Sequence, residues 1–564
     1  MFGFGKTARD PLADAKSAQR WLATFPAQDP LAAHAALLTE LGRIADRTTR
    51  RGAAQLEAVF ALDAHAADLR RALTAQYIEH ASRSSRIENQ LWSALFDLTQ
   101  AFLLAYQAFA RDLAEHGGAA RWQQMQAELI ARQVMHCGRD AKIRLYRYES
   151  WIPAKWAELH GLFSLALSRK LERVPLALDP AGGTTTIEHE YLVVLVLQLV
   201  HAGNTTPRHL EYVADELDGW CQPLRLTLEA TELSSFYVDL GGREGLKRRG
   251  PGALEGRVLF LDTRPLHAVL LQNIVVLEQK IRTQPLSGRT PKRAEQLALL
   301  QKLAAQADPE FRPFARRGER TAAAGTVDAI VGFANIAGYL RDEERNPVAY
   351  AEVGQSYGGT MEFATFGRVR NERDRIAEQA RRRLAAHAAP GGPWEVKDVS
   401  QTGFRLIAPM VVANAVTLGT VVALRPHGQR DWTAGVVRRM RRLTSDRAEI
   451  GLQVIATQLA GVDLVEQRKA AEPDYSVDGE IPTVNGRTFP ALLLGVRKRG
   501  SDVAVQSLML PAIEYQPSRK VKLLARKTAT RLRLGRLLEQ QPDWVWTAIE
   551  PIEGETVLPA HAAG

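Results

Sequence analysis

Asp398, Ser400 and Gly403 stand in the order Asp-x-Ser-x-x-Gly, and each of the three residue types has a chemical use there. Asp and Ser tighten turns through short side-chain hydrogen bonds to nearby backbone. The same carboxylate and hydroxyl, presented outward, can bond the edge of a nucleotide base or a phosphate. Glycine at the last position permits a positive φ or a close approach that a Cβ blocks. A turn of this kind also serves as a plain hairpin corner, and these six residues leave both readings open.

Arginine supplies the complementary chemistry. Arg312-Pro313-Phe314-Ala315-Arg316 and Arg316-Arg317-Gly318-Glu319-Arg320 are overlapping Arg-x-x-x-Arg matches just before Thr326 to Gly332, a segment that reads as a strand. A guanidinium offers a planar cation for stacking on a base and a donor fork for a phosphate or a guanine edge. With 73 lysines and arginines in the chain, such spacings arise by chance, so their weight rests on their place before a strand.

The elements around the turn are strands. Trp394 to Asp398 alternates apolar and charged residues, and Phe404 to Ile407 restarts the pattern after the turn. Val416 to Leu424, Trp432 to Arg439 and Ile450 to Val454 follow as three more strands. A DxSxxG turn, a Gly-led strand, Trp432-Thr433-Ala434-Gly435-Val436-Val437-Arg438 and Ile450-Gly451-Leu452-Gln453, in that order, resemble the PilZ family across residues 394–465. The resemblance implies a six-stranded β-barrel that binds cyclic di-GMP. It implies that Arg316 and Arg320 clamp guanine and phosphate, that Asp398 and Ser400 bond the opposite base edge, and that Gly403 keeps the approach open. Arg317 and Arg405 are further ligand-binding candidates by position.

The sequence departs from the family pattern at one point. The family's Arg-x-x-x-Arg normally lies a few tens of residues before DxSxxG, yet the arginines between Arg368 and Arg383 include no pair four apart. Using the upstream pair requires a barrel that begins near residue 311 and carries a helical insertion at about 341–390, which includes the polar run Arg368 to Ala389. Such an insertion is affordable, since loop closure costs about 0.6 kcal/mol per doubling of length.

The expected fold class is α+β multidomain. Residues 1–220 read as a helical domain: Leu91, Leu95, Leu98, Phe102, Tyr106 and Phe109 mark one face of a helix, and Trp92, Trp122, Trp151 and Trp156 are assigned to packing. Residues 221–310 read as a mixed α/β connecting region, 311–470 as the PilZ-like barrel, and 471–564 as a second β-rich unit. At 564 residues and about 150 per domain, the length accommodates such a division.

Composition excludes several classes. Cys137 and Cys221 are far apart and lack metal-ligand spacing, so no disulfide scaffold or structural zinc is expected, and the setting reads as cytoplasmic. The apolar run Tyr191 to Val200 is too short for a bilayer, which takes about 20 residues. Gly5-Lys6-Thr7 lacks the rest of a phosphate loop, and neither HExxH nor GxSxG occurs, so no catalytic residue, metal or cofactor is assigned and the chain is not read as an enzyme. The expected function is a cyclic di-GMP effector that signals to a protein partner through its helical region. Alternatives are a ligand-free PilZ-like scaffold and, ranked lower, a nucleic-acid binder using the basic cluster from Arg519 to Arg536, which otherwise reads as the solvated face of an edge strand.

Overall fold

The computed structural model describes residues 10–24, 29–80, 85–116, 120–178, 183–200, 204–250, 252, 254, 256–283, 291–310, 321–345, 393–400, 402–413, 416–426, 431–444, 446–466, 487–497, 504–525 and 528–552. The chain forms two compact units, residues 1–314 and 315–564.

The first unit opens with helices α1 (Ala15–Leu22), α2 (Pro30–Ala45), α3 (Ala53–His80), α4 (Ser85–His116) and α5 (Ala120–Tyr146). Helices α6 (Pro153–Ser168), α7 (Ile187–Leu197) and α8 (Pro207–Cys221) follow. Proline at the first turn of α2, α6 and α8 costs no backbone hydrogen bond there, and Asp29 and Thr206 cap the free amides of α2 and α8. The stripe from Leu91 to Phe109 is buried along α4. Trp122 and Trp156 are buried, and the Trp92 and Trp151 indoles donate to the Ile143 carbonyl at 2.9 Å and to Asp140 at 2.6 Å. Cys137 and Cys221 are buried free thiols.

Strands β1 (Leu226–Thr227), β2 (Phe236–Asp239), β3 (Lys247–Arg248) and β4 (Val258–Leu261) form a sheet in the order β1-β4-β2-β3, followed by α9 (Arg264–Arg282) and α10 (Pro291–Ala307). This region, anticipated as a separate connector, shares one hydrophobic core with the helices. Phe236, Leu259, Leu270 and Leu300 lie in the same cluster as Leu195, Val213 and Trp220. Its strands are too short to bury an apolar face alone, so they complete the helical core.

At the centre of the helical unit Asp63 is fully buried. It is held by Arg132 and Arg70 at 3.0 Å, His136 at 3.1 Å, Arg139 at 3.4 Å and the Tyr106 hydroxyl at 2.9 Å. Burial works against its charge, yet the surrounding groups, His136, Arg70 and Arg139, hold its carboxyl well below the usual carboxylate range.

The second unit contains two closed barrels. One comprises β5 (Thr321–Val331), β6 (Trp394–Ser400), β7 (Gly403–Pro409), β8 (Val421–Pro426), β9 (Thr433–Arg442) and β10 (Arg447–Ala456), in the cyclic order β10-β7-β6-β5-β8-β9. The other comprises β11 (Gln458–Glu466), β12 (Thr488–Arg497), β13 (Ala504–Pro511), β14 (Lys520–Ala525), β15 (Thr528–Gln540) and β16 (Trp544–Pro551), in the order β11-β12-β13-β16-β15-β14. With strands numbered from one to six within each barrel, both circuits read 1-2-3-6-5-4: the second barrel repeats the topology of the first.

The division between them falls at Thr457, not at residue 470 as the sequence suggested. β11 pairs with β12 and β14 of the second barrel, so its alternating residues belong to that core. β5 and β6 are direct neighbours although residues 332–393 separate them in sequence. That connection begins with helix α11 (Phe333–Arg345), while the polar run Arg368 to Ala389 lies outside the described residues.

Helix α11 joins the barrels. Phe333, Ile336, Ala337 and Leu340 recur at helical spacing and are buried. They share a core with Val421, Trp432 and Val436 of the first barrel and Leu492, Leu494, Met509 and Trp544 of the second. At about 1.5–3 kcal/mol per large side chain, this shared core outweighs any single polar contact in the unit. Gly461 on β11 makes the approach possible, because a Cβ there would stand 2.8 Å from the Arg341 amide nitrogen.

Candidate functional site

The Asp398–Gly403 motif forms the β6–β7 hairpin, whose last pair is Ser400 and Gly403. Ser400 Oγ donates to the Gly403 carbonyl at 3.3 Å, tightening the corner as short hydroxyl side chains do. The Thr402 carbonyl accepts from the Val454 amide at 2.9 Å, which ties the turn to β10. Glycine is required at 403 because a Cβ would lie 2.4 Å from the Leu452 carbonyl oxygen. The close approach at this residue is made by a neighbouring strand.

Asp398 is buried, and its carboxylate lies 2.6 Å from Arg405, its cross-strand partner on β7. The other end of the Arg405 guanidinium lies 3.8 Å from Glu449, and Arg441 is 3.7 Å from the same carboxylate. Gly451 pairs with Arg405 on one side and with Arg439 on the other. Cross-strand partners share a face. Asp398, Arg405, Gly451 and Arg439 therefore form one row across the sheet, in which a Cβ at Gly451 would stand 3.2 Å from the Arg439 Cβ.

One row along, Gln453 pairs with Gly403, and its amide oxygen accepts from Arg438 Nε at 2.8 Å. The Arg438 fork continues to Glu539 of the second barrel, at 2.7 and 2.5 Å. The motif's own row thus reaches the second barrel through Gln453 and Arg438.

Asp398, Ser400, Gly403 and Arg405 are brought together. Arg316, Arg317 and Arg320 lie outside the described residues. Thr321, which follows Arg320 in the chain, opens β5 opposite Val399, and Ala322 is opposite Asp398. Sequence reasoning missed Arg438, Arg439, Arg441 and Glu449. Arg439, Arg441 and Glu449 alternate with the buried Met440, Ala448 and Ile450, and Arg438 stands at the β9 bulge between the pairs Arg439–Gly451 and Val437–Leu452.

Residues 359–460, which contain the whole Asp398–Gly403 hairpin, match the family model described as the middle PilZ domain of the cyclic-di-GMP receptor FimW. Over those residues the chain is similar to a PilZ domain. Residues 16–231, which hold the helices α2 to α8, match the model described as the N-terminal domain of the same receptor. The curated cyclic-di-GMP receptor FimW of Pseudomonas aeruginosa is 23% identical over 392 residues, covering 62% of this chain and 63% of that protein.

The PilZ match ends near the start of β11, and the second barrel carries a different surface at the equivalent place. Its β12–β13 hairpin closes at Arg497 and Ala504. Two residues in from that pair stand Gly495 and Gln506, where the PilZ barrel has Asp398 and Arg405. Thr457 alone precedes β11, so the second barrel has no room for an arginine segment ahead of its first strand.

Proposed function

We propose that this chain is a cyclic di-GMP receptor that takes up the dinucleotide on the outer face of its PilZ barrel, beside the β6–β7 hairpin. The observation that carries the reading is the ion pair between Asp398 and Arg405. A buried carboxylate there faces one guanidinium nitrogen at 2.6 Å, and the guanine edge presents N–H donors of its own. Guanine replaces the arginine on Asp398, and the released guanidinium becomes available for stacking or for a phosphate. Arg316 and Arg320 supply the opposing clamp, with Arg317 beside them. What supports this role is the register of β5, whose first residue lies opposite Val399, inside the motif.

The chain acts as a cytoplasmic, non-catalytic effector. Ligand binding orders the arginine segment against the barrel and shifts the population of states presented to a protein partner by the helical unit. No helix among the described residues is long and apolar enough to cross a membrane.

Calorimetric titration of the full chain with cyclic di-GMP tests the reading. Saturable binding is expected, weakened about tenfold or more by Arg316→Ala and by Arg320→Ala, since each removes a charge-assisted hydrogen bond. Absence of heat at high micromolar protein, or affinity unchanged in both variants, overturns it and leaves a PilZ scaffold without ligand. That second reading draws on the second barrel, which keeps the topology while carrying Gly495 and Gln506 where the PilZ barrel has Asp398 and Arg405.

A further inference from the structure

On the outer face of the second barrel two pairs of cations stand directly opposite each other, with Glu550 of β16 across from Arg533 on its other side. β14 and β15 are antiparallel neighbours, and their register places Lys520 opposite Arg533 and Lys522 opposite Arg531. Val521, Leu523, Leu532 and Leu534 alternate with these residues and are buried in the barrel, so all four cations face outward. Like charges directly opposite on a sheet destabilise it. The sequence alone suggested an edge strand guarded by lysine and arginine. In the structure both strands are paired on each side within a closed barrel, which has no edge to guard.

The two rows lie about 6.8 Å apart along the strands and the two columns about 4.8 Å apart across them. Leu524, the next outward residue of β14 after Lys522, is 38% exposed. Past its bulge, β15 continues to Leu537 and Leu538, both exposed.

The chemistry of this face distinguishes among polyanions. None of Lys520, Lys522, Leu524, Arg531 and Arg533 is aromatic, so bases find no stacking platform. A flat strand pair also offers no projection into a duplex groove. Long cationic stems around an exposed leucine suit anionic headgroups, with the charges at the headgroup level and the apolar side chain at the interface. We propose that the β14–β15 face of the second barrel docks on an anionic lipid surface. The inference stands independently of cyclic di-GMP binding.

Co-sedimentation of the full chain with vesicles tests it, using phosphatidylcholine alone and phosphatidylcholine mixed with phosphatidylserine. Pelleting with the anionic vesicles only is expected, weakening as salt rises. Lys522→Gln combined with Arg531→Gln is expected to weaken partitioning about twenty-five-fold, at about fivefold per charge removed. The thermal midpoint of that variant should hold or rise as the repulsion is relieved, which separates lost binding from lost fold. Leu524→Ser should weaken partitioning at constant charge. Equal binding to both vesicle types, no binding, full binding by the double variant, or preference for a DNA duplex over the vesicles overturns the proposal.

Discussion

Asp398 and Arg405 oppose each other across the β6–β7 hairpin, with carboxylate oxygen and guanidinium nitrogen 2.6 Å apart. The proposed acceptor is thus held against an internal donor, and the proposed binding exchanges one charge-assisted contact for another. Asp398→Ala removes the acceptor. A hydrogen bond to a charged group contributes about 1.5–3 kcal/mol. Affinity for cyclic di-GMP measured by calorimetry should therefore fall at least about tenfold, and unchanged affinity would place the ligand elsewhere.

Gly403 tests whether the hairpin corner is set by strand packing. A Cβ 2.4 Å from the Leu452 oxygen forces β7 away from β10. Gly403→Ala should lower stability by about 1–3 kcal/mol, the cost of overpacking, and depress the thermal midpoint without ligand present. An unaltered melt would show that the strands yield freely.

Arg438 and Glu539 pair across the two barrels through two donor–acceptor contacts. The Arg438 side chain is 38% exposed, so the fork is partly screened. A double-mutant cycle with Arg438→Ala and Glu539→Ala should give a coupling of about 1 kcal/mol that shrinks with added salt. Additive single effects would mean that the shared apolar core alone holds the junction.

Asp63 gives the helical unit a pH dependence with a definite sign. Its folded carboxyl lies well below the ordinary range: burial opposes the charge, and His136, Arg70 and Arg139 overcome that opposition. Stability from a depressed carboxylate is complete above the unfolded value of ~3.9 and is lost as pH falls through the folded value. Below about pH 4 the helical unit should weaken progressively in urea titrations followed by circular dichroism. Asp63→Asn strands buried arginines, so at neutral pH it should cost about 3–5 kcal/mol. The same variant should lose most of the acid-dependent slope. An equally steep slope in Asp63→Asn would assign it to other carboxylates.

Local pattern made much of the PilZ barrel legible. Trp394 to Ser400, Gly403 to Pro409 and Arg447 to Ala456 announce themselves by alternation and by the turn between the first two. The helical face from Leu91 to Phe109 is equally plain, because 3.6-residue periodicity needs no knowledge of partners. What depends on distant partners was hidden. Arg438 reads as one more basic residue until Glu539, about a hundred positions later, stands beside it. The boundary at Thr457 escaped because β10 and β11 share the same alternation, and only their neighbours assign them to different barrels. The repeated topology left no motif at the equivalent hairpin, since Gly495 and Gln506 share no chemistry with Asp398 and Arg405. The basic cluster was visible, but its two opposed pairs exist only in the register of β14 with β15.

Thr457 is the sole residue between β10 and β11, so Arg447 to Glu466 runs as a nearly continuous ribbon through both barrels. The junction has no slack with which to absorb force or motion. A displacement that peels β10 from its neighbours drags β11 with it, and opening either barrel begins to open the other. Under tension the pair should yield in a single step rather than as two beads on a string. By the same reasoning, a protease that nicks other loops would find no separable fragment here.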